Sequence, residues 1–218
     1  MRTKIKNKYR LLGRTRDTLE FFVEDNSLIN YKRIDRLVIS FLVKNDLREL
    51  PIDVVELSKR NKWLIVPYSK IPKKVYNFYE NIIYTDSGFS TYYKNNYIIF
   101  YNDKIDVLTQ RFTVAHEIGH IALDHFLDSD PATREIEANT FAAKMLMPLS
   151  IIKACGVKSI YEIEHLCGVD YSVAKERYKY LLQSDIHYDD DLNKQFDKFI
   201  KTYKTRRNSS IIYKNPST

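Results

Sequence analysis

The chain has 218 residues, 44% of them hydrophobic and 29% charged, a composition that fits one soluble globular core and excludes a disordered or multi-span membrane chain. Its formal charge of +7 is unevenly placed: residues 1–16 hold seven Lys/Arg and no acid, and residues 194–218 hold seven Lys/Arg and one acid, so the ends carry +13 and residues 17–193 carry −6. That distribution argues against a folded body that grips nucleic acid, and leaves only the basic tails as places to hold nucleic acid or another acidic partner.

Cys155 and Cys167 have neither a disulfide framework nor a zinc-finger spacing, and read as reduced thiols. The opening "MRTKIKNKYRLLGRTRD" is charged with no apolar run behind it, so no signal peptide is expected. The longest apolar run, Leu37–Val43, is far too short to cross a bilayer. A cytoplasmic protein without a membrane partner is the expectation.

Residues 1–16 read as a basic N-terminal extension, 17–185 as the folded domain and 186–218 as a basic C-terminal extension. Tyr31–Asn45 has apolar residues at Ile34, Leu37, Val38, Phe41 and Leu42, a helical period. "LPIDVVELSKRNK" predicts a short helix with Pro51 in its first turn and Val54, Val55 and Leu57 on its buried side. "WLIVPY" (Trp63–Tyr68) reads as a buried strand stopped by Pro67. Asn81–Asn102 is rich in β-branched and aromatic residues, with turn formers at Asp86–Gly88 and Lys94–Asn96, and predicts two or three antiparallel strands. From Asp106 the period is helical again until Pro131 breaks it. Thr133–Pro148 then reads as a further helix, and Ser159–Leu182 as two helices around "GVDYS". Phe196, Phe199, Ile200 and Tyr203 have helical spacing, which allows part of the C-terminal extension to be helical and to dock. Helices, a small antiparallel sheet, then helices imply a single α+β domain.

The chemistry is concentrated in "RFTVAHEIGHIALDH" (Arg111–His125). With Phe112 at zero on a helical wheel, Leu108, Ala115, Gly119, Ala122 and Phe126 form one apolar stripe. His116 and His120 fall near about 40° and 80°, and Glu117 near about 140°. Two imidazoles one turn apart can share one tetrahedral metal. Glu117 is turned too far round to be a natural third ligand and is placed to hold a water as general base, the logic of H-E-x-x-H. The bland alternative is a helix with two partly exposed histidines. Against it, the apolar flanks would make unpaired polar groups costly. Gly119 also sits inside the helix despite a penalty of about 1 kcal/mol relative to Ala, which implies that another segment approaches closely there.

A third ligand must come from elsewhere. The metzincin position, six residues after His120, is Phe126, so that pattern fails. His125 falls near about 220° on the wheel and reads as a satisfied or surface histidine. "REIEANTFAA" offers Glu135 and Glu137, about 160° apart, so only one is expected to face the metal, and geometry does not choose between them.

"RFTVAHEIGHIALDH" followed by "REIEANTFAAKMLMP" resembles the paired signature of the ImmA/IrrE-type metallo-endopeptidases. "LPIDVVELSKRNKWLIVPY" and "YIIFYND" fit that family's order of elements, and the resemblance runs from about Tyr31 to Leu182. It implies a zincin-like metalloprotease domain, gluzincin-like, with one Zn2+ per chain held by two His and one Glu. Those are His116, His120 and, by alignment on "EAN", Glu137, with Glu135 as the alternative and Glu117 as the catalytic base. It also implies a protein substrate, a helix-turn-helix repressor guarding a mobile element, a prophage or a stress regulon. No helix-turn-helix domain precedes the protease domain, and the faint resemblance of "LCGVDYS" to one reads as packing. Tyr92, Tyr93, Tyr97, Tyr101 and His165 are candidates by type for stabilising an oxyanion. "YIIFYN" could present a strand edge to an extended substrate. The competing function is an anti-repressor that binds without cutting and uses zinc as a structural clip. Glu117 favours the enzyme, because a structural site has no use for a base.

Overall fold

The computed structural model describes residues 29–72, 87–125, 130–183 and 190–212. The expected N-terminal extension 1–16 and the ends of several expected segments, including Asn81–Asp86 and Phe126, lie outside them.

Side-chain caps set where the helices begin. α1 (Tyr31–Lys44) starts at Asn30, whose Oδ1 accepts from the Arg33 N–H at 2.9 Å. α2 (Val54–Arg60) starts at Asp53, which accepts from the N–H groups of Val55 and Glu56, so Pro51 precedes this helix instead of occupying its first turn. α3 (Val107–Ala122) is capped by Asp106, and α4 (Pro131–Leu146) by Asp130 with Pro131 in its first turn. Each of these caps satisfies a backbone donor that the helix leaves open. The helices α5 (Leu149–Ala154), α6 (Ile160–Cys167), α7 (Tyr171–Gln183), α8 (Asp190–Gln195) and α9 (Asp197–Ile212) follow. α6 ends at Gly168 in the left-handed region, φ 59°, and the "GVDYS" segment turns the chain into α7.

The sheet has three strands: β1 (Leu64–Pro67), β2 (Gly88–Tyr93) and β3 (Asn96–Tyr101), in the order β1-β3-β2. β2 and β3 form a hairpin closed by Lys94 and Asn95, at φ 47° and 64°, the two-residue turn whose twist suits flanking strands. β1 runs parallel to β3, with Leu64 opposite Ile98. The sheet is therefore mixed, which corrects the expectation of an antiparallel one. Residues 68–87 separate β1 from β2, so no tight turn dictates β1's direction. β3 lies between its neighbours with both edges paired, so "YIIFYN" offers no edge for strand addition. Among the described residues the outer strands are β1 and β2.

α3 and α4 occupy the centre of the molecule. Ile118, Ala142, Phe141 and Met145 are fully buried between them and the elements around them. α1 lies along α4, where Lys144 pairs with Asp35. Leu192 of α8, Ile200 of α9 and Phe196 between the two helices are also in this core, while Lys198, Lys201, Lys204 and Arg206 are exposed. The basic end of the chain thus contributes apolar anchors to the domain. Phe196→Ala should cost about 3–5 kcal/mol, the usual range for emptying a buried aromatic site. A urea midpoint within error of wild type would show that α9 is not anchored there. Cys155 and Cys167 are both buried thiols. No helix among the described residues is long and apolar enough to cross a membrane.

Candidate metal centre

Gly119 explains how the site is assembled. A Cβ on this residue would stand 2.9 Å from the Ala138 carbonyl oxygen and 3.3 Å from the Ala138 Cα. No real side chain fits there, so α3 and α4 touch backbone to backbone at this point. His116 and His120 flank Gly119 on α3, and Glu135 and Asn139 flank Ala138 on α4. The contact between two small residues brings the two pairs together.

The imidazoles converge. His116 Nε2 and His120 Nε2 are 2.8 Å apart. The Glu135 carboxylate lies 3.3 Å from His116 Nε2 and 3.7 Å from His120 Nε2. Two ligand atoms each about 2.0–2.1 Å from a tetrahedral zinc stand about 3.3 Å apart. The three observed separations bracket that value, and two imidazole nitrogens with one carboxylate are a zinc donor set, so the residues present fit the ion. The His120 side chain is fully buried, while those of His116 and Glu135 keep 13% and 28% of their exposure. The triad is therefore closed on one side and open on the other, as a catalytic site needs and a structural one does not. Glu117 is buried at 1% exposure on the same helix.

Glu135 takes the place expected of Glu137. Alignment on "EAN" favours Glu137, but α4 turns Glu137 away from the paired Nε2 atoms. Its Oε2 lies 2.9 Å from His125 Nε2, and its Oε1 lies 3.9 Å from Arg33. The register of α4 is fixed by the Ala138–Gly119 contact, and Glu135 shares a face with Asn139 four residues on. Burial raises the Glu135 carboxyl, but hydrogen bonds and charge from His116 and His120 outweigh it and hold the group well below the usual carboxylate range. Glu137 goes the other way: burial raises it above its ordinary value, with Arg33 opposing.

The sequence reading missed what two further residues do. Asn139 Oδ1 stands 2.6 Å from His116 Nδ1. The Nδ1–H donates to it, which leaves His116 Nε2 bare toward the triad. The visible signal was the i, i+4 spacing of Glu135 and Asn139. His125 is the other. It is the satisfied histidine of the two expected alternatives, not a surface one, and it does not lie on the α3 wheel. The helix stops at Ala122, Asp124 adopts φ 53°, and the chain folds back. His125 then donates its backbone N–H to the His120 carbonyl at 3.0 Å and lies buried against the His120 ring. Extending the helical period past the helix end misplaced it.

Of the oxyanion candidates, Tyr92, Tyr93 and His165 are exposed. The Tyr97 ring packs against Trp63 and Tyr92. Its hydroxyl is raised by burial and by the charges of Asp124 and Tyr92. Its surroundings thus reach the turn that follows α3.

Residues 74–180 match the model of the Peptidase_M78 family, described as the IrrE N-terminal-like domain. No curated protein matches the sequence significantly. Among solved structures, a Mycobacterium tuberculosis transcriptional regulator has a similar fold, with a TM-score of 0.53 over 79% of this chain at 17% identity. The present chain covers 53% of that one, so it spans about half its length, and the likeness is one of fold.

Proposed function

We propose that this chain, which carries an IrrE N-terminal-like domain, is a zinc-dependent endopeptidase acting on a protein that controls transcription, a helix-turn-helix repressor. The observation that carries the reading is the convergence of His116, His120 and Glu135 on one point, open on one side, with the buried Glu117 on the same helix. The family match is to a peptidase family, and the solved structure of similar fold is named a transcriptional regulator.

His116, His120 and Glu135 would hold the metal. When bound, zinc supplies Lewis acidity that activates water near neutral pH. Asn139 keeps the His116 lone pair on Nε2, because its Oδ1 accepts a hydrogen bond from the Nδ1–H. Glu117 takes a proton from the attacking water on its carboxylate and delivers it to the leaving amine nitrogen, so that one group serves as base and then acid. Burial of Glu117 at 1% exposure limits water around that carboxylate.

The test is cleavage in vitro. The zinc-loaded protein should cut a helix-turn-helix repressor encoded beside its gene at a defined bond, and an excess of chelator should stop it. An intact repressor after incubation, with zinc bound and the repressor released from its operator, would instead support the binding-only anti-repressor.

A further inference from the structure

Beyond the triad, a second row of polar groups runs from His120 to the surface, and nothing in the reaction above uses it. His120 Nδ1 lies 2.8 Å from His125 Nδ1, His125 Nε2 lies 2.9 Å from Glu137 Oε2, and Glu137 Oε1 lies 3.9 Å from the Arg33 guanidinium. We propose that His125 and Glu137 are positioning residues: together they fix the tautomer of His120 and hold its Nε2 lone pair on the metal point. The proposal rests on the zinc reading above and deepens it.

The argument is one of donors and acceptors. A neutral imidazole has one N–H and one bare nitrogen, and an ionised carboxylate only accepts. Glu137 therefore takes its hydrogen bond from His125 Nε2–H. That leaves His125 Nδ1 bare. The only hydrogen bond His120 Nδ1 and His125 Nδ1 can then make is one in which His120 Nδ1–H donates. In the zinc-loaded protein His120 Nε2 is bare as a consequence, and it is the atom that faces His116 and Glu135; without the ion, the 2.8 Å contact between the two Nε2 atoms needs a proton of its own. Each link follows from the one before, and the carboxylate sets the direction of all of them. Arg33, on α1, favours the charged acceptor at the far end.

The geometry has no slack. His120 and His125 are buried, at 0% and 4% exposure, so bulk water is kept from the rings. The backbone N–H of His125 also donates to the His120 carbonyl, so the ring is held by its own main chain as well as by Glu137. α4 thus orients both metal-facing histidines from its two flanks: Asn139 fixes His116, and Glu137 fixes His120 through His125. Partners of this kind around a metal ligand typically matter by about 10- to 100-fold in affinity.

Two readouts test the relay, and neither is activity. In the zinc-loaded protein, 15N NMR of the imidazoles should show His125 protonated on Nε2 and bare on Nδ1, and Glu137→Leu should scramble that tautomer. The second readout is zinc affinity by chelator competition on the full chain. His125→Phe, which fills the space without hydrogen bonds, and Glu137→Leu should each weaken zinc by about 10- to 100-fold. His125→Gln should recover much of the loss, because its amide can accept from His120 and donate to Glu137. A purely structural role would not be rescued in that way. Wild-type affinity in His125→Phe and Glu137→Leu would overturn the proposal, and so would a His125 that carries its proton on Nδ1 in the zinc-loaded wild type. A wild type that binds no zinc sinks the metallopeptidase reading and the relay with it, whereas tight wild-type binding that neither variant weakens sinks the relay alone.

Discussion

Glu117→Gln should leave the protein folded and zinc-loaded but lower kcat by about 100- to 10,000-fold, the usual contribution of a positioned general base. Glutamine has nearly the same shape, so the buried site at 1% exposure is not emptied. What changes is that an amide cannot take a proton near neutral pH. The metal-facing atoms of His116, His120 and Glu135 are on other side chains, so zinc content by mass spectrometry should match wild type. This combination, metal kept and turnover lost, separates a catalytic site from a structural clip. A variant that still cleaves would remove Glu117 from the chemistry. A variant that no longer cleaves but still relieves repression in cells would show that binding alone carries the biological effect.

How far the sequence could be read depends on how local each feature is. The α3 site was legible because His116, Glu117 and His120 lie within five consecutive positions of a helix, where spacing dictates direction. Gly119 was informative for the same reason: a glycine inside an apolar helix face predicts a close approach, and the Ala138 backbone is what approaches. The helix boundaries at Asp106 and Ser159 follow from short polar side chains just ahead of helical periods, whereas Pro131, read as a breaker, in fact opens α4 behind the Asp130 cap. What could not be read depends on relations between elements. The direction of β1 is settled by its pairing with β3, not by any residue in "LIVP". The choice between Glu135 and Glu137 depends on the rotation of α4 about its own axis, which the contact with Gly119 fixes. His125 was misplaced because a single positive φ at Asp124 ends the periodicity on which the helical wheel depends.

Exchange of the two glutamates is the sharpest consequence of that rotation. Glu135→Ala should weaken zinc by far more than Glu137→Ala. Structural zinc sites bind with about 10–16 kcal/mol, so one protein ligand in three accounts for about 3–5 kcal/mol, or roughly 100- to 10,000-fold in affinity. Glu137 reaches the metal only through His125 and His120, and loss of such an outer partner costs about 10- to 100-fold. The ranges meet at one end, so the order of the two variants decides the matter, measured in one chelator titration. The two losses should also differ in kind. Cobalt-loaded Glu137→Ala should retain a tetrahedral absorption spectrum, because all three ligand atoms remain. Cobalt-loaded Glu135→Ala should lose intensity, because water takes the vacant position and the coordination number is free to rise. If Glu137→Ala proves the more damaging of the two and alters the cobalt spectrum, α4 is rotated in the metal-bound protein and Glu137 is the third ligand after all. In that event the relay through His125 fails as well, since its terminal acceptor would be occupied by the metal.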